Sequence, residues 1–278
     1  MAKLQALRFG LTQAVFIGSM NLAACQNADA GHDLELSEEN LKTEFVGGNI
    51  LDTLFHEMGH ALIDQFDIPI LGQEEDAADN LAAMLLLGSD KDHMIEAVAS
   101  AAEGYFLMDD LGAARKEDFQ FDDEHDLDVQ RAYRQVCYLY GLSESFDDLA
   151  EAAELSDERA EYCPDDLDRI TRDWTRVLKP HEGISKHPIT VTYAPASKEH
   201  LPAKDFLMRT AYMEETAKYF ESSYVLKRPL SITAESCGEA NAFYDPEKSE
   251  ITLCYEYIIF FKELDTFSNT GAAEHVTD

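Results

Sequence analysis

Residues 56–79 read HEMGHALIDQFDIPILGQEEDAAD. Two histidines, His56 and His60, stand four positions apart with Glu57 beside the first. On a helix, positions i and i+4 lie one above the other on the same face, so both imidazoles can reach a single metal ion. Glu57 points one step round and can hold a water on that ion. This is the physical content of the H-E-x-x-H pattern. Zinc lowers the pKa of such a water towards ~7, and the glutamate takes its proton as it attacks a carbonyl. A catalytic zinc has three protein ligands and leaves its fourth position to solvent. The second half of the stretch offers Glu74, Glu75 and Asp79 as the third. Glu75 and Asp79 again stand four apart. One of them can bind the metal while the other accepts the free N–H of a ligand histidine and locks its tautomer. That division of labour favours Glu75 as ligand and Asp79 behind a histidine, with Asp79 and Glu74 open as alternatives. A plainer reading makes Glu74 and Glu75 acids that complement a helix N-terminus, and Glu75 can do both.

Outward from this stretch, Ser37-Glu38-Glu39-Asn40 reads as a helix start. Ile50, Leu54, Met58, Ala61, Leu62 and Phe66 then fall at helical spacing. Asp67-Ile68-Pro69 ends that helix, because the residue before proline is pushed out of the helical region. A second helix is expected from Glu74 to Leu87, stopped by Gly88, and a third from Lys91 to Met108. Residues 109–126 are acid-rich and read as a surface loop. Helical pattern returns over Leu127–Tyr140, Ser145–Ala153, Asp157–Tyr162 and Leu167–Leu178. The last third differs. His187–Tyr193, Leu230–Ala234 and Glu250–Tyr257 read as strands, with a turn over Asn241–Lys248, and Leu207–Ser222 and Ile258–Phe267 read as helices. The expected class is α+β, predominantly α, with a small antiparallel β element in the C-terminal third. A boundary near Pro180–Pro188 divides a helical part, 37–180, from an α/β part, 181–278, as two domains or two parts of one.

Acidic residues number 55 against 22 basic, a net charge of −33. A field of that sign repels nucleic acid and anionic lipid, so neither is an expected partner. Its plain meaning is solubility, as in a salty habitat. The start of the chain is of another kind. Lys3 and Arg8 precede an uncharged apolar run, Phe9–Met20, too short for a membrane span of ~20 residues and suited to a secretory signal. Leu22-Ala23-Ala24-Cys25 resembles a bacterial lipobox. It implies a signal peptide over 1–24, lipidation of Cys25, and a polar tether over 25–36, with the anchor as the sole membrane contact. Ordinary cleavage after Ala28-Asp29-Ala30 is the alternative. Either route exports the protein. Cys137, Cys163, Cys237 and Cys254 remain, and an even number in an oxidising compartment implies two disulfides. The sequence-local pairing, Cys137–Cys163 and Cys237–Cys254, is the simplest of the three possible. Each bond would stabilise the fold by ~3 kcal/mol.

A peptidase also needs donors for the oxyanion of its tetrahedral intermediate. His125 and Tyr133 are candidates. Against these roles, His125 reads as a surface residue and Tyr133 as a core aromatic with a bonded hydroxyl. The remaining histidines have no partner at ligand spacing. The segment Asn241–Asp245 reads as a candidate substrate-facing hairpin, because peptides bind such enzymes by adding a strand to a sheet edge. Such an edge usually precedes the H-E-x-x-H helix; here the strands come after it.

The helix with E-x-x-x-D resembles the second helix of the glutamate-zincins, whose third zinc ligand is that glutamate. The interval from His60 to Glu75 is short for them. More closely, H-E-M-G-H-A-L-I-D with I-P-I-L-G-Q-E-E-D-A-A-D resembles a family of exported bacterial proteins named for an inferred metallopeptidase activity. The likeness extends to Gln130-Arg131-Ala132-Tyr133, to Glu161-Tyr162-Cys163-Pro164 and to Cys237–Pro246 with Cys254-Tyr255-Glu256. It implies a zincin-like helix pair in which His56, His60 and Glu75 match the metal ligands and Glu57 the base. The expected function is zinc-dependent hydrolysis of peptide bonds in the bacterial cell envelope or periplasm. The alternatives are a non-catalytic envelope lipoprotein with a structural metal, a hydrolase of another amide such as a cell-wall crosslink, and a binding protein with a vestigial site.

Overall fold

In a computed structural model of the chain, residues 38–118 and 120–271 are described; the expected signal peptide, Cys25 and the expected tether lie outside them. Helix α1 (Glu38–Phe66) is the central beam. Ile50, Leu54, Met58 and Leu62 are fully buried along it, and so are the polar side chains of Asn49, Asp52, His56 and Glu57. A helix buried all round needs neighbours on every side, and α1 has them: the helix pairs that follow, the edge of a sheet and the last helix of the described chain. It ends in a Schellman turn: Asp67 is left-handed (φ 55°), its N–H reaches Asp64 O and the Ile68 N–H returns to Ile63 O at 3.0 Å. The chain reverses and α2 (Glu74–Leu87) begins with three acids, Glu74, Glu75 and Asp76, whose charge complements the exposed N–H groups of its first turn. Gly59 permits the close approach of the two helices: a Cβ there would sit 3.2 Å from Ala78 Cα and 3.3 Å from its Cβ. Glu75 is thereby brought level with the two histidines.

Helix α3 (Asp92–Arg115) runs seven residues past the expected end at Met108, taking part of the expected acidic loop into helix. Leu107 and Leu111, both buried, continue its apolar stripe by one turn, while Asp109 and Asp110 lie off that stripe. The loop proper comprises residues 116–118 and 120–127. Helices α4 (Asp128–Leu142), α5 (Asp147–Ala152), α6 (Asp157–Ala160) and α7 (Cys163–Leu178) follow. Cys137 in α4 is bonded to Cys163 at the start of α7.

The C-terminal third is β1 (Ile189–Tyr193), α8 (Leu201–Thr210), α9 (Tyr212–Ser223), β2 (Leu230–Glu235), β3 (Ala242–Asp245), β4 (Glu250–Cys254) and α10 (Tyr255–Thr270). The expected single helix over Leu207–Ser222 is two, separated by Ala211 in the left-handed region (φ 56°). The sheet, ordered β1-β2-β4-β3, is mixed: β2 runs parallel to β1 and β4, and the antiparallel pair is β3 with β4. The antiparallel element is thus the short hairpin Ala242–Cys254, whose first strand falls within the expected turn over Asn241–Lys248. Four residues, AFYD, are too few to show alternation. The turn is held by Asp245, whose Oδ1 accepts the N–H groups of Glu247 and Lys248. Cys237 is bonded to Cys254 at the end of β4. One hydrophobic core joins both parts: Leu54 and Leu62 of α1, Ile232 and Leu253 of the sheet and Phe261 of α10 belong to the same cluster. Among the described residues no helix is long and apolar enough to cross a membrane.

Candidate metal centre

On α1, His56 and His60 project from consecutive turns, and their Nε2 atoms lie 3.1 Å apart. Glu75, in the first turn of α2, places Oε2 3.1 Å from His56 Nε2 and 3.2 Å from His60 Nε2. These three atoms form a nearly equilateral triangle. Tetrahedral zinc with bonds of 2.0–2.1 Å separates its ligand atoms by about 3.3 Å, so the triangle is close to one face of that tetrahedron. The donor set, two imidazoles and a carboxylate, is of the kind zinc takes in catalytic sites. Among the described residues this is the trio of metal-binding type brought together. The structure separates the three candidate carboxylates of α2 by position. Glu75 faces both Nε2 atoms. Asp79 Oδ1 lies 2.8 Å from His56 Nδ1, on the far side of that ring. Glu74 Oε1 lies 2.9 Å from His60 Nδ1, again on the outer side, and is half exposed.

Behind His56 the charges continue inward. Asp79 is buried and accepts two hydrogen bonds of 2.8 Å from Arg131 of α4, Nε to Oδ2 and Nη2 to Oδ1. The Arg131 guanidinium stacks 4.2 Å over the Tyr105 ring. Arg134, one turn on, bonds Asp76 at 2.9 Å and also bonds Asp126 beside His125. Two cations from α4 thus neutralise a carboxylate that would otherwise be buried alone, at a cost of several kcal/mol. Burial pushes the Asp79 carboxyl up, but Arg131 and His56 outweigh it and hold it far below the usual carboxylate range. Burial pulls the His56 ring down, and its bonds to Asp79 and Glu75 reverse that, to about 10. Glu75 is driven well down, against burial, by bonds from His125, His56 and His60. Glu57 is buried beside the trio and burial raises it. One turn before His56, buried Asp52 is pushed up to about 7, by desolvation first and Asp79 second.

The trio and Glu57 line a cleft of about 690 Å³. α1 supplies Thr53, His56, Glu57, His60 and Asp64; Tyr105, Tyr257 and Arg131 close its inner wall; Ala242, Phe243 and Tyr244 of β3 form one side. His125 comes from the acidic loop, and its Nε2 lies 2.9 Å from Glu75 Oε2. Its ring stacks on that of His56, 6.0 Å between centroids. His125 therefore belongs to the cleft. Tyr133 does not: its hydroxyl donates to Ala153 O at 3.0 Å and its ring packs edge-on to Phe106. Arg131, Tyr105 and the Asp64–Tyr244 pair are components with no role assigned from sequence. A signal for Arg131 existed: Arg131 and Arg134, three apart on one helix, are scarce cations in a chain with 22 basic residues against 55 acidic.

No curated protein and no solved structure matches the chain significantly. A family model described as "Putative metallopeptidase" matches residues 15–178 and 193–277, which span α1, α2 and strands β2, β3 and β4, and the chain belongs to that metallopeptidase family.

Proposed function

We propose that the protein is a zinc-dependent peptidase of the cell envelope, with His56, His60 and Glu75 as the metal ligands and Glu57 as the catalytic base. The observation that carries this reading is the triangle of ligand atoms beside a buried glutamate lining the cleft. Zinc held there supplies positive charge that acidifies a water and polarises a carbonyl. Glu57 takes the proton of the attacking water and returns it to the leaving amine, a double duty suited to a carboxyl whose pKa is raised by burial. Asp79 fixes the tautomer and orientation of His56. His125 donates from its Nε2 side to the oxyanion of the tetrahedral intermediate.

An extended peptide suits the cleft because β3, which lines it, is an edge strand of the sheet. Cys254 N–H bonds Asn241 O at 3.0 Å, so by antiparallel alternation the main-chain groups of Ala242 and Tyr244 turn outward. The Ala242 N–H is taken by Asn241 Oδ1 at 2.8 Å, which leaves Ala242 C=O and both groups of Tyr244 for a substrate strand. Two disulfides fit an oxidising compartment. Export through the 1–24 signal, with a lipid anchor at Cys25 as the sole membrane contact, puts the activity in the bacterial envelope.

The test is zinc content and casein digestion of the wild type beside Glu57→Gln. The variant is expected to keep its zinc and lose activity by at least ~10²-fold. Equal activity removes Glu57 from the chemistry. A second reading, a closed structural site in a non-catalytic lipoprotein, is favoured by one observation, the 2.9 Å approach of His125 to Glu75. It requires His125 as a fourth protein ligand.

A further inference from the structure

Asp64 lies one turn beyond His60 on α1, so His56, His60 and Asp64 share one face. Its Oδ2 accepts a 2.5 Å hydrogen bond from Tyr244 Oη of the edge strand and a second from Arg228, which enters β2. Arg228 Nη2 also lies 3.2 Å from Tyr244 Oη, closing a three-membered ring of contacts. The next residue, buried Gln65, doubles the connection. Its Oε1 accepts the N–H groups of Lys227 (3.0 Å) and Arg228 (3.3 Å). Two successive residues of the metal helix thus hold the strand that borders the cleft and the segment leading into its sheet.

We infer that the Asp64–Tyr244–Arg228 ring positions the substrate: it sets the height of the β3 edge above the metal centre. The inference rests on the peptidase reading. No other hydrogen bond described between α1 and β3 is as short, and β3 is only four residues long, hydrogen-bonded to the sheet on one side. Without the ring, β3 can shift while His56, His60 and Glu75 stay in place, since no hydrogen bond or ion pair described joins any of the three to Tyr244. A peptide paired to a displaced edge carries its scissile carbonyl away from Glu57. Displacements of an ångström at a reacting centre cost up to ~10²-fold in rate. A substrate too short to pair with β3 is indifferent to the edge. The three side chains are therefore positioning residues.

The test compares Tyr244→Phe with wild type on two peptides of the same cleavage site, one long enough to span β3 and one trimmed to the residues flanking the scissile bond. Bound zinc is measured in both proteins. For Tyr244→Phe, kcat/KM on the long peptide is expected to fall about tenfold. The trimmed peptide should change by less than about twofold and zinc affinity should be unchanged. Arg228→Lys should lose less than Arg228→Ala on the long peptide. An active wild type whose Tyr244→Phe variant loses both peptides equally, or neither, overturns the positioning role alone. A zinc-loaded wild type that cleaves neither peptide overturns the peptidase reading and this inference with it.

Discussion

The two imidazoles of the centre stand one turn apart yet are held by different means. His56 faces inward, where Asp79, Arg131, Arg134 and Tyr105 form a buried sequence of alternating charge and ring. His60 faces the mouth of the cleft, and the Glu74 carboxylate on its outer nitrogen is half exposed. An exposed partner is screened by water and adds little; a buried one acts at low dielectric and is costly to remove. The inner side is therefore buried scaffold and the outer side is where solvent reaches the trio.

This contrast sets the size of each response to substitution. The largest effect is expected where the two sides meet. Glu75→Ala removes the carboxylate that touches both Nε2 atoms and should lower zinc affinity by at least on the order of 10³-fold, read by competition with a coloured chelator. Next is Asp79→Ala. It should weaken zinc by about 10–100-fold, as loss of a histidine's supporting carboxylate does. It also leaves Arg131 buried without its carboxylate, so denaturant unfolding should show a loss of about 3–5 kcal/mol even without metal. An Asp79→Ala protein as stable as wild type would show that the inner side is not the scaffold described.

The helix pair and the grouping of His56, His60 and Glu75 were legible from sequence because their information is local. A spacing of four puts residues on one face whatever the rest of the chain does, and Asp67-Ile68-Pro69 marks the reversal that lays α2 against α1. What lay hidden depends on partners distant in sequence. Arg131 is 52 residues from Asp79 and Tyr244 is 180 from Asp64, so neither pairing has a period. The strand β3 was too short to alternate, and the parallel pairing of β2 with β4 is invisible to a pattern that reads one strand at a time. His125 is exposed, as its acidic neighbours suggest, and its place at the centre depends on a loop held by the Arg134 bond to Asp126.

A smaller effect separates the inner side by pH. Buried Asp52 has its pKa raised from 3.8 to about 7, mainly by desolvation. Between those values the folded chain keeps a proton that the unfolded chain releases, so this group's contribution to stability falls as pH rises and is spent by about pH 7. Asp52→Asn removes the dependence. The melting temperature of the variant relative to wild type should climb from pH 4 to pH 8, by the equivalent of a few kcal/mol, roughly 1.4 per pKa unit. A difference that is flat with pH would place Asp52 in a polar setting. The smallest effect belongs to the outer side: Glu74→Ala should change zinc affinity by less than about threefold, since its carboxylate is exposed. A loss as large as that of Asp79→Ala would erase the distinction between the two sides.

The central claim is a metal held by three protein atoms with room for solvent, and zinc-edge anomalous diffraction from crystals of the zinc-loaded protein tests it most directly. The account predicts one peak bonded to His56 Nε2, His60 Nε2 and Glu75 Oε2, with a water at the remaining position. A peak whose fourth ligand is His125, or one centred on Asp79 or Glu74 in place of Glu75, would contradict it.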